Sequence, residues 1–108
     1  MVTFTLLCNL GMSTAMLVDR MKEVAKEKGI EIDIDALAFD RADMRLEKTD
    51  ILLVGPQVRH IMPKFKEKYT GKIPVIETIS AQDYGLMNGE KVLMEALKKL
   101  EEAKNKED

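Results

Sequence analysis

The stretch VTFTLLCNLGMSTAMLV, residues 2–18, decides the fold. Residues 2–7 form a short apolar run rich in strand-favouring types, residues 8–13 (CNLGMS) carry turn chemistry, and beyond them the apolar spacing changes from a strand's to a helix's. Leu17, Met21, Val24, Ala25 and Lys28 follow the i, i+4, i+7, i+8, i+11 rule, charged residues between 19 and 27 fall mostly on the other side, and Gly29 is a natural stop. A strand that feeds an amphipathic helix of about four turns predicts the opening of an α/β fold.

The rest of the chain agrees. Ile30, Ile32 and Ile34 alternate with Glu31, Asp33 and Asp35, the pattern of an edge strand with one wet face. Residues 51–54 (ILLV) lack polar alternation, as a strand buried on both faces should, and lead into Gly55-Pro56. Val58, Ile61, Met62 and Phe65 predict a second helix that Pro63 must bend or break. Residues 73–76 predict a fourth strand, with Pro74 tolerable only near an edge or a strand start. Residues 80–89 read as turn, and Asn88 caps a last helix with Val92, Leu93, Ala96, Leu97 and Leu100 on its apolar face, before a tail from Glu101 expected to fray over 101–108. Residues 40–49 show no clear period. The prediction is one domain over residues 1–108, an α/β three-layer sandwich whose four-stranded parallel sheet has the order 2-1-3-4, with helices on both faces.

Composition narrows the function. With 108 residues, 45% hydrophobic and 33% charged, the chain can build one core and should fold alone. Its 17 Lys and Arg against 19 Asp and Glu leave a formal charge of −2, a poor field for nucleic acid. The apolar start ends within eight residues, too short for a signal peptide or a membrane span, so no membrane insertion is expected. One Cys makes no internal disulfide and suits a reducing, cytoplasmic setting.

That residue, Cys8, falls at the predicted topological switch point, between strands 1 and 3, where open parallel sheets bind ligands. The loop after it enters a helix N-terminus, whose unpaired N–H groups and dipole favour an anion, and Gly11 permits the tight curl that turns amides inward. The same field favours a nucleophilic thiolate. The competing reading makes Cys8 a small buried hydrophobe and Ser13 or Thr14 an ordinary cap.

At this loop the chain resembles the enzyme IIB components of the bacterial phosphoenolpyruvate-dependent sugar phosphotransferase system, lactose/cellobiose type. The resemblance rests on LLCNLGMSTAMLV (6–18), ILLVGPQVRHIMP (51–63) and DYGLMNGEKVL (83–93). It implies that Cys8 is phosphorylated, and that Asn9, Leu10, Gly11, Met12, Ser13, Thr14 and Ala15 form the phosphate-binding loop. It further implies a cytoplasmic phosphocarrier that accepts from a phosphohistidine on enzyme IIA and delivers to a sugar, a β-linked disaccharide such as cellobiose, chitobiose or lactose, bound by the membrane permease, enzyme IIC. No metal or organic cofactor is implied. Expected contact surfaces are the rim of residues 9–15 and the loops starting near Gly55 and Ser80. The sequence departs from the family's habit at Asn9 and Ala15, where Ser is frequent, and at His60, where an aromatic is common.

Two rivals remain. Low-molecular-weight tyrosine phosphatases share the loop geometry, but follow their Cys with five residues and an Arg; here that position is Thr14, no Lys or Arg stands between Cys8 and Arg20, and the chain has no Asp-Pro general acid. A non-catalytic adaptor would not need a thiol at the switch point, and a redox protein would usually pair two cysteines. His60, the sole histidine, reads as an ordinary surface residue and makes no metal site alone.

Overall fold

In the computed structural model, which describes residues 1–8, 12–38 and 45–106, strand β1 (Val2–Cys8) leads to helix α1 (Met12–Glu27) and strand β2 (Ile32–Ala38). A 3-10 turn (Leu46–Lys48) precedes β3 (Ile51–Val54), and a 3-10 segment (Pro56–Ile61) leads into α2 (Met62–Tyr69). Strand β4 (Val75–Thr78), α3 (Ala81–Gly85) and α4 (Gly89–Lys106) complete the order.

Among the described residues, four parallel strands form one sheet in the order β2-β1-β3-β4, as the burial patterns in the sequence predict. Central β3 is buried at all four positions, whereas edge strand β2 buries only Ile34 fully. Alternation along β1 separates two cores. Phe4 and Leu6 join Ile51 and Leu53 under α1 and α4, with Leu17, Met21, Val24, Leu93 and Leu100. Leu7, Leu52 and Val54 face the other way, against Val58 and Ile61 of the 3-10 segment, Leu46 and Ile73. Helix α2 covers this second face but buries no residue completely; Met62, Phe65 and Tyr69 are half-buried against it.

Where no long helix among the described residues covers β1 and β2, polar groups pack on the face. Thr5, fully buried, meets the Thr49 hydroxyl at 2.7 Å and accepts from Arg45 Nε at 3.0 Å. Arg45 Nη2 donates to the Phe4 carbonyl at 3.0 Å and pairs with Asp33 at 3.1 Å. This clasp falls partly in the segment 40–49 whose period was unreadable; residues 40–44 lie outside the described residues.

Four boundaries differ from the sequence reading. Strand β4 runs from Val75 to Thr78 rather than over 73–76, because Pro74 has no N–H to give the ladder and marks the strand's approach. Strand β2 likewise starts at Ile32, not Ile30, and continues to Ala38 opposite Cys8. Residues 81–85 of the expected turn form α3, capped by Ser80, whose Oγ accepts from Asp83 N at 3.0 Å. The last helix continues past Glu101 to Lys106, because buried Leu100 and half-buried Ala103 keep its final turns seated. The expected break at Pro63 takes a definite form: Val58 departs from helical angles (φ −120°, ψ 21°), and Pro63 then occupies the first turn of α2, where its missing N–H costs nothing. Asn88 caps α4 as expected, its Oδ1 accepting from Lys91 N at 3.2 Å.

Candidate functional site

Cys8 is the last residue of β1 and 1% exposed. The residue before it anchors the neighbouring strand's exit, since the Leu7 carbonyl accepts from Gly55 N at 2.8 Å. Gly55 has ordinary extended angles, so its need for glycine is one of space. A Cβ there would stand 3.3 Å from the Leu7 oxygen, 3.6 Å from Cys8 Cβ and 2.9 Å from Gln57 Oε1. The bare backbone of the β3 exit thus lies directly against the cysteine. Past it, Ile79 N donates to the Val54 carbonyl at 2.9 Å and brings the β4 exit and Ser80 to the same end of the sheet.

The chain leaves β1 for α1 on one face and leaves β3 for the 3-10 segment and α2 on the other. The two exits diverge from the carboxyl ends of β1 and β3, the place where open parallel sheets generally bind ligands, and Cys8 ends β1 there. Helix α1 begins four positions after Cys8, and its first N–H groups have no partner inside the helix.

Of the residues expected to bind phosphate, Met12, Ser13, Thr14 and Ala15 belong to the first turn of α1. Ala15 is exposed, while Thr14 is 2% exposed and its hydroxyl lies 2.6 Å from that of Tyr84. Asn9, Leu10 and Gly11, and the side chains of Met12 and Ser13, lie outside the described residues. His60 is exposed on the 3-10 segment that starts at Gly55. Tyr84 was missed by the sequence reading. Its only local signal is an aromatic inside a polar turn-like stretch, and its partner lies 70 positions away.

No helix among the described residues is long and apolar enough to cross a membrane. The family described as "PTS system, Lactose/Cellobiose specific IIB subunit" matches residues 4–95. The chain is 35% identical over 92 residues to the PTS system oligo-beta-mannoside-specific EIIB component of Bacillus subtilis, covering 85% of this chain and 89% of that one. It is 38% identical over 96 residues to the PTS system galactose-specific EIIB component of Lactococcus lactis subsp. cremoris, covering 84% and 89%. Among solved structures, the cellobiose-specific phosphotransferase IIB component protein from Borrelia burgdorferi superposes with a TM-score of 0.79 at 39% identity, over 94% of each chain.

Proposed function

This chain belongs to the family of lactose/cellobiose-specific IIB subunits of the sugar phosphotransferase system, and from that membership we propose that Cys8 is its phosphoryl carrier. Residues 1–108 act as one cytoplasmic IIB domain. A phosphohistidine on enzyme IIA is the donor, and a sugar held by the membrane permease, enzyme IIC, is the final acceptor. The observation that carries this reading is the place of Cys8, at the end of β1, against the side-chain-free exit of β3 and four positions ahead of α1.

In the first half-reaction the Cys8 sulfur attacks phosphorus in line with the donor nitrogen. An S–P bond forms, the P–N bond breaks, and the imidazole leaves with the proton that the thiol gives up. In the second, a sugar hydroxyl oxygen attacks phosphorus, the P–S bond breaks, the thiolate returns and the hydroxyl proton passes to solvent or a base on the receiving side. Such transfers depend on alignment and charge stabilisation more than on covalent machinery. The amides of the first turn of α1 supply the positive field. Because Cys8 is buried, the donor imidazole reaches the sulfur only within a docked complex, which also limits the access of water to the phosphoryl group. IIA and IIC reach one sulfur and therefore compete for one face, made by the rim of residues 9–15 and the loops from Gly55 and Ser80.

Relatives of similar identity carry names with different sugars, galactose and oligo-beta-mannoside. That supports a division in which the permease selects the sugar, here a β-linked disaccharide or a related glycoside. Hydrolysis of the phosphocysteine is disfavoured by the residue at the phosphatase arginine position, Thr14, whose hydroxyl is held by Tyr84.

Intact mass spectrometry tests the reading: the protein and Cys8→Ser are incubated with phosphoenolpyruvate, the two general phosphotransferase proteins and a matching IIA. A phosphoryl-sized increase at Cys8, absent from the variant, is expected. No increase with an IIA shown to be competent on another carrier would sink it.

A further inference from the structure

The first turn of α1 is held from outside itself. Thr14, its third residue, has a buried hydroxyl 2.6 Å from the hydroxyl of Tyr84, which is itself 7% exposed. The segment that carries Tyr84 is braced on several sides. Tyr84 N donates to the Ser80 carbonyl at 3.0 Å, Met87 N donates to the Tyr84 carbonyl at 3.1 Å, and Asn88 N donates to the Asp83 carbonyl at 3.0 Å. The Asp83 carboxylate, almost buried, pairs with Lys91 Nζ of α4 at 3.2 Å. Just beyond, α4 starts in contact with α1 at Gly89, where an added Cβ would meet Arg20 Cγ at 2.7 Å and Met21 N at 3.0 Å. A phenol on so constrained a support is a fixed post and not a mobile neighbour.

The backbone N–H of Thr14 is among those that α1 leaves without an internal partner. Pinning the Thr14 side chain therefore also pins the direction of the amides on either side of it. Their aim matters more here than in a site with a guanidinium, since no Lys or Arg stands between Cys8 and Arg20.

We propose that Tyr84 is a positioning residue for phosphoryl transfer, its hydroxyl locking Thr14 so that the first turn of α1 keeps its amides aimed at the phosphoryl group on Cys8. The inference rests on the carrier reading of Cys8. Tyr84 acts through Thr14 and does not itself touch the reacting atoms.

The test uses the whole chain, Tyr84→Phe, Thr14→Val, the double variant and Thr14→Ser, with phosphorylated IIA as donor and urea melts run in parallel to establish that each is folded under assay conditions. Tyr84→Phe and Thr14→Val should each lower kcat about tenfold, with KM for phospho-IIA unchanged. The double variant should be no slower than Thr14→Val, because both substitutions break one lock. Thr14→Ser, which keeps the hydroxyl, should recover most of the rate lost in Thr14→Val. Wild-type kcat in Tyr84→Phe, a change confined to KM, or rate losses that multiply in the double variant would each overturn the lock. Hydrogen exchange at the amides of Thr14 and Ala15 needs no partner protein and should quicken in Tyr84→Phe. Unchanged exchange removes the lock while leaving the carrier reading intact; quickened exchange in Tyr84→Phe, together with a wild-type chain that never takes up phosphoryl from a competent IIA, removes the carrier reading and, with it, the catalytic purpose of the lock.

Discussion

Replacing Gly89 with alanine probes the seam between α1 and α4, on which the support of Tyr84 depends. The added Cβ would stand 2.7 Å from Arg20 Cγ, 3.0 Å from Met21 N and 3.1 Å from the Arg20 carbonyl carbon. The first of these neighbours is flexible and can turn aside, but the other two are backbone of α1, which is packed against the core through Leu17, Met21 and Val24, and cannot. Relief requires α4 to move from α1 by several tenths of an ångström, and overpacking of this kind costs about 1–3 kcal/mol. Alanine gains at most about 1 kcal/mol over glycine in a helix, and less in the first turn, where Gly89 sits. The balance is a loss of about 1–2 kcal/mol, read as a fall of roughly 4–8 °C in melting temperature per kcal/mol or a lower urea midpoint at constant slope. Gly85→Ala is the internal control. No atom lies within 4 Å of its added Cβ, and its φ is not in the left-handed region, so it should be neutral or slightly stabilising. A Gly89→Ala protein as stable as wild type, or an equal loss in both variants, would refute the steric argument.

Two further substitutions test the elements around the sheet. Thr5→Val keeps the shape of a fully buried side chain but strips Arg45 Nε and the Thr49 hydroxyl of a partner, so urea melts should show a loss of about 1–3 kcal/mol, recovered by Thr5→Ser. Ser80→Ala removes the cap that Asp83 N uses and should cost about 1 kcal/mol, with hydrogen exchange at Asp83 rising more than in the strands.

What could be read from the sequence was local or periodic. The unbroken ILLV of β3 and the wet face of β2 already separate centre from edge, and with them the strand order follows. Cys8 was legible because it is the chain's one thiol and ends a strand just before a helix. Polar contacts between distant segments were not. Thr5 looks like an ordinary β-branched strand residue, and the partners that make it a clasp sit at positions 45 and 49, in a segment without period. Helix α3 has five residues, too few to generate a repeat, and owes its place to Ser80 at its start and to the burial of Tyr84. The same burial sets the Thr14 contact, which neither residue's neighbours in sequence foreshadow.

The sheet is also a partition. On one side, α1, α3 and α4 hold the helix turn beside Cys8 through a continuous core. On the other, the 3-10 segment and α2 present Arg59, His60, Lys64 and Lys68 outward, and α2 buries none of its residues completely. A helix so lightly seated can change its outer face with little penalty to packing. Substitutions on this side need not disturb the amides to which the proposed carrier role assigns the phosphoryl group. Recognition and chemistry can then diverge at separate rates within one small fold.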